Sequence, residues 1–132
     1  MCKVNSSLYS QNQPEGGGQA HWIPNTDVYT TEEGLVVKAE LSGVRREDLV
    51  ITHEGNRLLI SGLRPDGCRS PGCKFLVMEI NYGSFECVIE LPGGYDLANA
   101  LGTYHNGFLR VDVPVLAKSP AKSGFVPLSD SK

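Results

Sequence analysis

From Tyr104 to Pro114 the chain reads Tyr-His-Asn-Gly-Phe-Leu-Arg-Val-Asp-Val-Pro, and no other stretch limits the fold so tightly. Asn106-Gly107 supplies the positive φ angles of a tight hairpin turn. Phe108, Leu109, Val111 and Val113 follow in a β-rich run that Pro114 stops, since proline brings no N–H to a ladder. A chain with such a hairpin near its end is committed there to antiparallel sheet.

The β period extends back to Ile23. Leu35, Val37, Ala39 and Leu41 alternate with Val36, Lys38, Glu40 and Ser42, so one face is apolar and the other mixed. Glu33-Gly34 turns the chain between strands predicted at 28–31 and 35–41. Gly55-Asn56 joins 49–54 to 57–61 as a second hairpin. Further strands are predicted at 85–91 and 101–105. Short helical turns fit 45–48 and 96–99, the second opened by Asp96 as a cap. Short strands, regular turns and no long helical period predict an all-β fold, an antiparallel sandwich. Pattern alone does not choose between an immunoglobulin-like strand order and another.

Three regions flank or interrupt this domain, which is expected over residues 21–115. Residues 1–20 are polar, with Gly16-Gly17-Gly18 as a hinge, and are expected to be a flexible arm. Residues 63–83 make a long excursion whose first half is rich in Pro and Gly. Its second half contains Phe75, Leu76, Val77, Met78, Glu79 and Ile80, apolar and strand-like. A lone hydrophobic strand must find a sheet edge, either by a hairpin with 85–91 or on another subunit. Residues 116–132 are expected to be a flexible extension in which Phe125, Val126, Pro127 and Leu128 stand out as apolar. Pro127 would hold that segment extended; a frayed end with chance apolar residues is the plainer alternative.

The formal net charge is −3, and no basic cluster accompanies an aromatic face, so a nucleic-acid partner is not expected. No run approaches membrane-spanning length and the opening residues hold no apolar signal core, which points to the cytoplasm. Among Cys2, Cys68, Cys73 and Cys87, free thiols are the expected state, with Cys68 and Cys73 close enough for a redox-sensitive local disulfide. Their spacing exceeds a C-x-x-C pair and no second pair completes a metal site. His21, His53 and His105 have no nucleophile or metal partner in their motifs, and a strand histidine such as His53 is expected at the surface. Gly16-Gly17-Gly18 lacks the Lys-Ser/Thr of a phosphate loop. Neither catalysis nor a cofactor is expected.

Several motifs now fall into a familiar order. They are Trp22-Ile23-Pro24-Asn25-Thr26-Asp27-Val28; Leu41-Ser42-Gly43-Val44-Arg45-Arg46-Glu47-Asp48-Leu49, with Ser42 where Pro is usual; Leu58-Leu59-Ile60-Ser61-Gly62; Tyr82-Gly83-Ser84-Phe85 running to Leu91-Pro92; and Ala100 to Pro114. Together they resemble the α-crystallin domain of small heat-shock proteins of bacterial type. The resemblance implies an immunoglobulin-like β-sandwich and an ATP-independent chaperone, a holdase that binds partly unfolded proteins. It implies self-association into a dimer and higher oligomers, with the 75–80 strand pairing with the partner subunit's first strand. It makes Val126, Pro127 and Leu128 a plug for a groove on another dimer, walled by Ile51 and Leu101 with Leu49 and Thr103 nearby. Two departures qualify it: the arm before Trp22 is short and polar, and Phe85-Glu86-Cys87 stands where basic residues usually follow. Large oligomers and strong client protection therefore do not follow from the resemblance. A β-sandwich adaptor of co-chaperone type, binding one specific partner, is the competing reading.

Overall fold

The computed structural model describes residues 22–67, 70–116 and 123–129; the expected arm at 1–20 lies outside them. Strands β1 (Thr26–Thr30) and β2 (Gly34–Glu40) form the first hairpin, with Val28 opposite Val37. Strand β7 (Phe108–Pro114) runs antiparallel to β2, setting Leu35 against Val113, Val37 against Val111 and Ala39 against Leu109. All six side chains are buried: the alternation read from the sequence points them to one face. Strand β6 (Leu101–His105) reaches β7 through Asn106 at φ 53° and Gly107 at φ 83°, the left-handed pair of the turn.

The facing sheet is built from β3 (Val50–Glu54), β4 (Arg57–Arg64) and β5 (Gly83–Glu90). Its inward residues Ile51, Leu58, Ile60, Phe85, Cys87 and Ile89 join those of the first sheet in one core. Strand β4 runs past the predicted end, to Arg64. The expected helical turns are 3-10 turns at Arg46–Asp48 and Leu97–Asn99. Asp96 does not cap the second with its side chain. Its carboxylate instead accepts from Asn99 Nδ2 at 2.6 Å, a local bond that competes with capping.

Two segments differ from expectation. Residues 75–82 form no strand, and among the described residues no sheet edge is paired with them; an extended segment without a ladder is not sheet. The C-terminal segment does form sheet. Strand β8 (Ser123–Phe125) lies antiparallel to β3, and β9 (Leu128–Ser129) lies parallel to β6. The strand orders are β1-β2-β7-β6-β9 and β5-β4-β3-β8. One short stretch thus covers an edge of each sheet along the same open side of the sandwich.

Candidate functional site

The groove lies between β3 and β6, and the tail of the same chain is seated in it. From Ser123 to Phe125 the tail follows β3, with Thr52 opposite Phe125, His53 opposite Gly124 and Glu54 opposite Ser123. The Val126 amide donates to the Ile51 carbonyl at 3.0 Å. The Val126 side chain is 5% exposed and belongs to the core cluster. At Pro127 the chain crosses to the other sheet, where the Gly102 amide donates to the Pro127 carbonyl at 2.8 Å. Leu128 packs, half-buried, against the core. The Arg46 guanidinium donates to the Leu128 carbonyl, so the turn after β2 closes over the end of the tail. Phe125 stays 76% exposed between these anchors, as alternation requires for a residue beside a buried Val126.

The residues read from the sequence fall unevenly around this groove. Ile51 is 4% exposed and Leu49 packs part-buried at its edge. Leu101 is 45% exposed and Thr103 is half-buried on the same side of β6. On that strand the face is shifted by one residue. Gly102 and Tyr104 look toward the tail and core, because a single step in register exchanges the faces. Gly102 matters by being small: a Cβ there would stand 3.3 Å from Leu128 Cδ1 and 3.4 Å from the Pro127 oxygen. His53, expected at the surface, is 3% exposed beneath Gly124. Sequence reading missed His53, Gly102, Tyr104 and Arg46. The one available signal was Gly102, since a glycine inside a strand often marks close approach of another backbone.

At the opposite end, residues 65–82 leave and rejoin the sandwich over a polar and aromatic clasp. Arg64 donates to the carbonyls of Ser42 and Asn81, each at 2.9 Å, and lies 4.3 Å above the Trp22 ring. Trp22 donates from Nε1 to the Gly83 carbonyl at 3.0 Å and packs against Phe85 with the rings tilted by 50° and their centroids 4.9 Å apart. A cavity of about 610 Å³ opens beside this clasp, lined by Trp22, Glu40, Arg64, Ile80 and Tyr82 among others. Beyond it Leu76 is 90% and Val77 75% exposed, with Phe75, Met78 and Ile80 also at the surface and Glu79 among them. Cys68 lies outside the described residues. Cys73 is disulfide-bonded, the state the sequence leaves open as the alternative to a free thiol, while Cys87 is buried in the core. A half-exposed loop sulfur is open to such pairing in a way that a core sulfur is not.

Among the described residues there is no cluster of His, Cys, Asp and Glu that could hold a metal ion, and no helix is long and apolar enough to cross a membrane.

Known proteins share this architecture. The sequence model of the Hsp20/alpha crystallin family matches residues 27–125. Spore protein SP21 of Stigmatella aurantiaca is 33% identical over 97 residues, which are 74% of this chain and 57% of that protein. Heat shock protein 16 of Schizosaccharomyces pombe is 30% identical over 101 residues, 75% of this chain and 71% of that one. Among solved structures, hspA of Xanthomonas axonopodis superposes with a TM-score of 0.68 at 25% identity, covering 76% of this chain and 100% of that chain. A small heat-shock protein from Xylella fastidiosa does so with a TM-score of 0.67 at 27% identity, covering 77% and 94%. The chain spans only 57% of spore protein SP21 and 60% of small heat shock protein C2 of Rickettsia felis. The family's characteristic function is that of a chaperone, and its members are small heat-shock proteins rather than enzymes. Sandwich, motif order and sequence match agree: this protein belongs to the Hsp20/alpha crystallin family.

Proposed function

We propose that this protein is an ATP-independent holdase, covering exposed apolar surface on partly unfolded clients without performing chemistry on them. The observation that carries the reading is a groove whose apolar floor, at Ile51, is covered by the tail of the same chain through Val126. Burying Val126 and Leu128 stabilises the docked tail by about 1.5–3 kcal/mol each before the ordering of the segment is subtracted. What remains is small, so the plug exchanges. The same tail can leave its own groove for that of another copy, and several such links per assembly bind firmly through avidity.

Dimerisation in this reading uses the other end of the molecule. Strand β1 is an edge of its sheet, with ladder groups on its outer side for another strand. Phe75, Leu76, Val77, Met78 and Ile80 are exposed on an excursion that pairs with no strand among the described residues. Laying that segment on the β1 edge of a second copy satisfies both. The Xylella fastidiosa relative has a distinct high order structure, which supports assembly beyond the dimer here.

The test is aggregation of a heat-stressed client followed by light scattering, with purified protein and no nucleotide. Suppression should rise with the molar ratio of protein to client. A requirement for ATP, or full suppression at strongly substoichiometric protein with release of refolded client, would remove the holdase reading.

A further inference from the structure

The docked tail carries a glycine where it passes over a buried histidine, close enough that an added Cβ would press on the ring. Gly124 sits opposite His53 in the pairing of β3 with β8. A Cβ on Gly124 would stand 3.2 Å from His53 Nε2, 3.8 Å from Cδ2 and 4.0 Å from Cε1. The ring has little room to retreat: His53 is 3% exposed, and its register partner on the other side, Leu58, is fully buried. Among the described residues its Nδ1 has no hydrogen-bond partner, and it is the Nε2 edge of the ring that lies nearest the tail.

Each position of the seated segment is then treated differently. Gly124 must be small. Phe125 is 76% exposed and goes unread. Val126 enters the core, Pro127 is held through its carbonyl, and Leu128 lies over Gly102.

We infer that the groove selects Gly-x-Val-x-Leu rather than Val-x-Leu alone, with His53 as the residue that determines the glycine. This rests on the reading of the tail as an exchangeable plug. The occupant it admits is residues 123–129 of this chain, its own or those of a second copy. An extended segment with the same two apolar residues but a branched or bulky residue two positions before the valine is rejected. His53 thereby separates assemblies of this protein from those of other plug-and-groove chains whose tails lack that glycine.

The direction of the effect distinguishes this from ordinary strand behaviour. In an unobstructed edge strand, Gly→Val improves β-propensity and removes unfolded-state entropy, so docking would tighten. Over His53 the same change must loosen it.

The experiment is amide hydrogen exchange on the full chain, read at Val126, bonded to Ile51, and at Gly102, bonded to Pro127. Gly124→Val should lower protection at both amides by about tenfold or more, the scale of an overpacking penalty. Gly124→Ala should give a smaller loss, and Val111 in the core should keep its protection. Gly124→Val with His53→Ala should regain protection relative to Gly124→Val alone. Unchanged or stronger protection in Gly124→Val overturns the glycine filter and leaves the plug reading standing. Loss that His53→Ala does not restore overturns the role of His53. Should His53→Ala disturb Val111, the series Gly, Ala, Val at 124 decides, since it alters nothing in the sandwich: protection that fails to fall with side-chain volume sinks the inference. An unprotected Val126 amide in the unaltered chain would mean instead that the plug reading itself is wrong.

Discussion

The Tyr104 hydroxyl stands 2.6 Å from the carbonyl oxygens of both Leu41 and Val44, and its single proton serves one acceptor at a time. It ties β6 to the turn that follows β2, the turn from which Arg46 reaches the tail. Tyr104→Phe should cost about 1 kcal/mol, the net worth of a typical hydrogen bond, measured by urea unfolding near neutral pH. Burial pushes the Tyr104 phenol above its usual value, with the positive charge of Arg64 pulling the other way. A raised phenol favours the neutral form in the fold, so its contribution is complete below the ordinary tyrosine range and is lost as pH climbs through the folded value. Stability of the unaltered chain should fall in that alkaline window, and Tyr104→Phe should flatten the fall; an identical alkaline limb in both would assign the proton to another group. Little of this was legible residue by residue. Leu101 is the apolar side chain of β6 and invites an inward assignment, yet the strand turns Gly102 inward because the tail's backbone needs that space.

At the level of elements, the two ends of the groove-bearing sandwich make separable predictions. Val126→Ala with Leu128→Ala removes the burial that holds β8 and β9, about 1.5–3 kcal/mol per residue at most. Assemblies should shrink towards the dimer in light scattering while the sandwich keeps its thermal midpoint within a few degrees; a collapse of that midpoint would mean the tail is a fixed part of the fold and not an exchangeable plug. Replacing residues 66–80 by a short glycine linker should give monomers, and a dimer that survives the deletion would count against exchange on β1. The two regions were unequal in the sequence. The hairpins were legible because their turns and alternation are local. The tail's sheet pairing was not, since β8 and β9 owe their partners to residues far away in sequence, and a segment this short carries almost no period of its own. The apolar run at 75–80 has strand composition, but among the described residues no strand pairs with it, so no local pattern names its ladder partner.

For the whole molecule, protection of clients should be stoichiometric. A holdase has no turnover, so each copy covers only what its apolar surface can hold. Truncation after Leu116 should expose Ile51 and the edges of β3 and β6 together. An uncovered pair of edges invites pairing between molecules, so the truncated protein should itself scatter light on mild heating where the full chain stays clear. A truncated protein as clear as the full chain would show that the edges are protected without the tail.

By itself the sequence determined the antiparallel sandwich, its hairpins, its core alternation and its family, because each follows from neighbours within a few residues or from motifs in a set order. Tertiary structure alone decided that the tail closes its own groove, that His53 is buried under Gly124, and that Gly102 rather than Leu101 receives Leu128. Those outcomes depend on how closely two distant backbones approach. Close approach is governed by the volume left between packed sheets, which no local pattern of polar and apolar residues encodes.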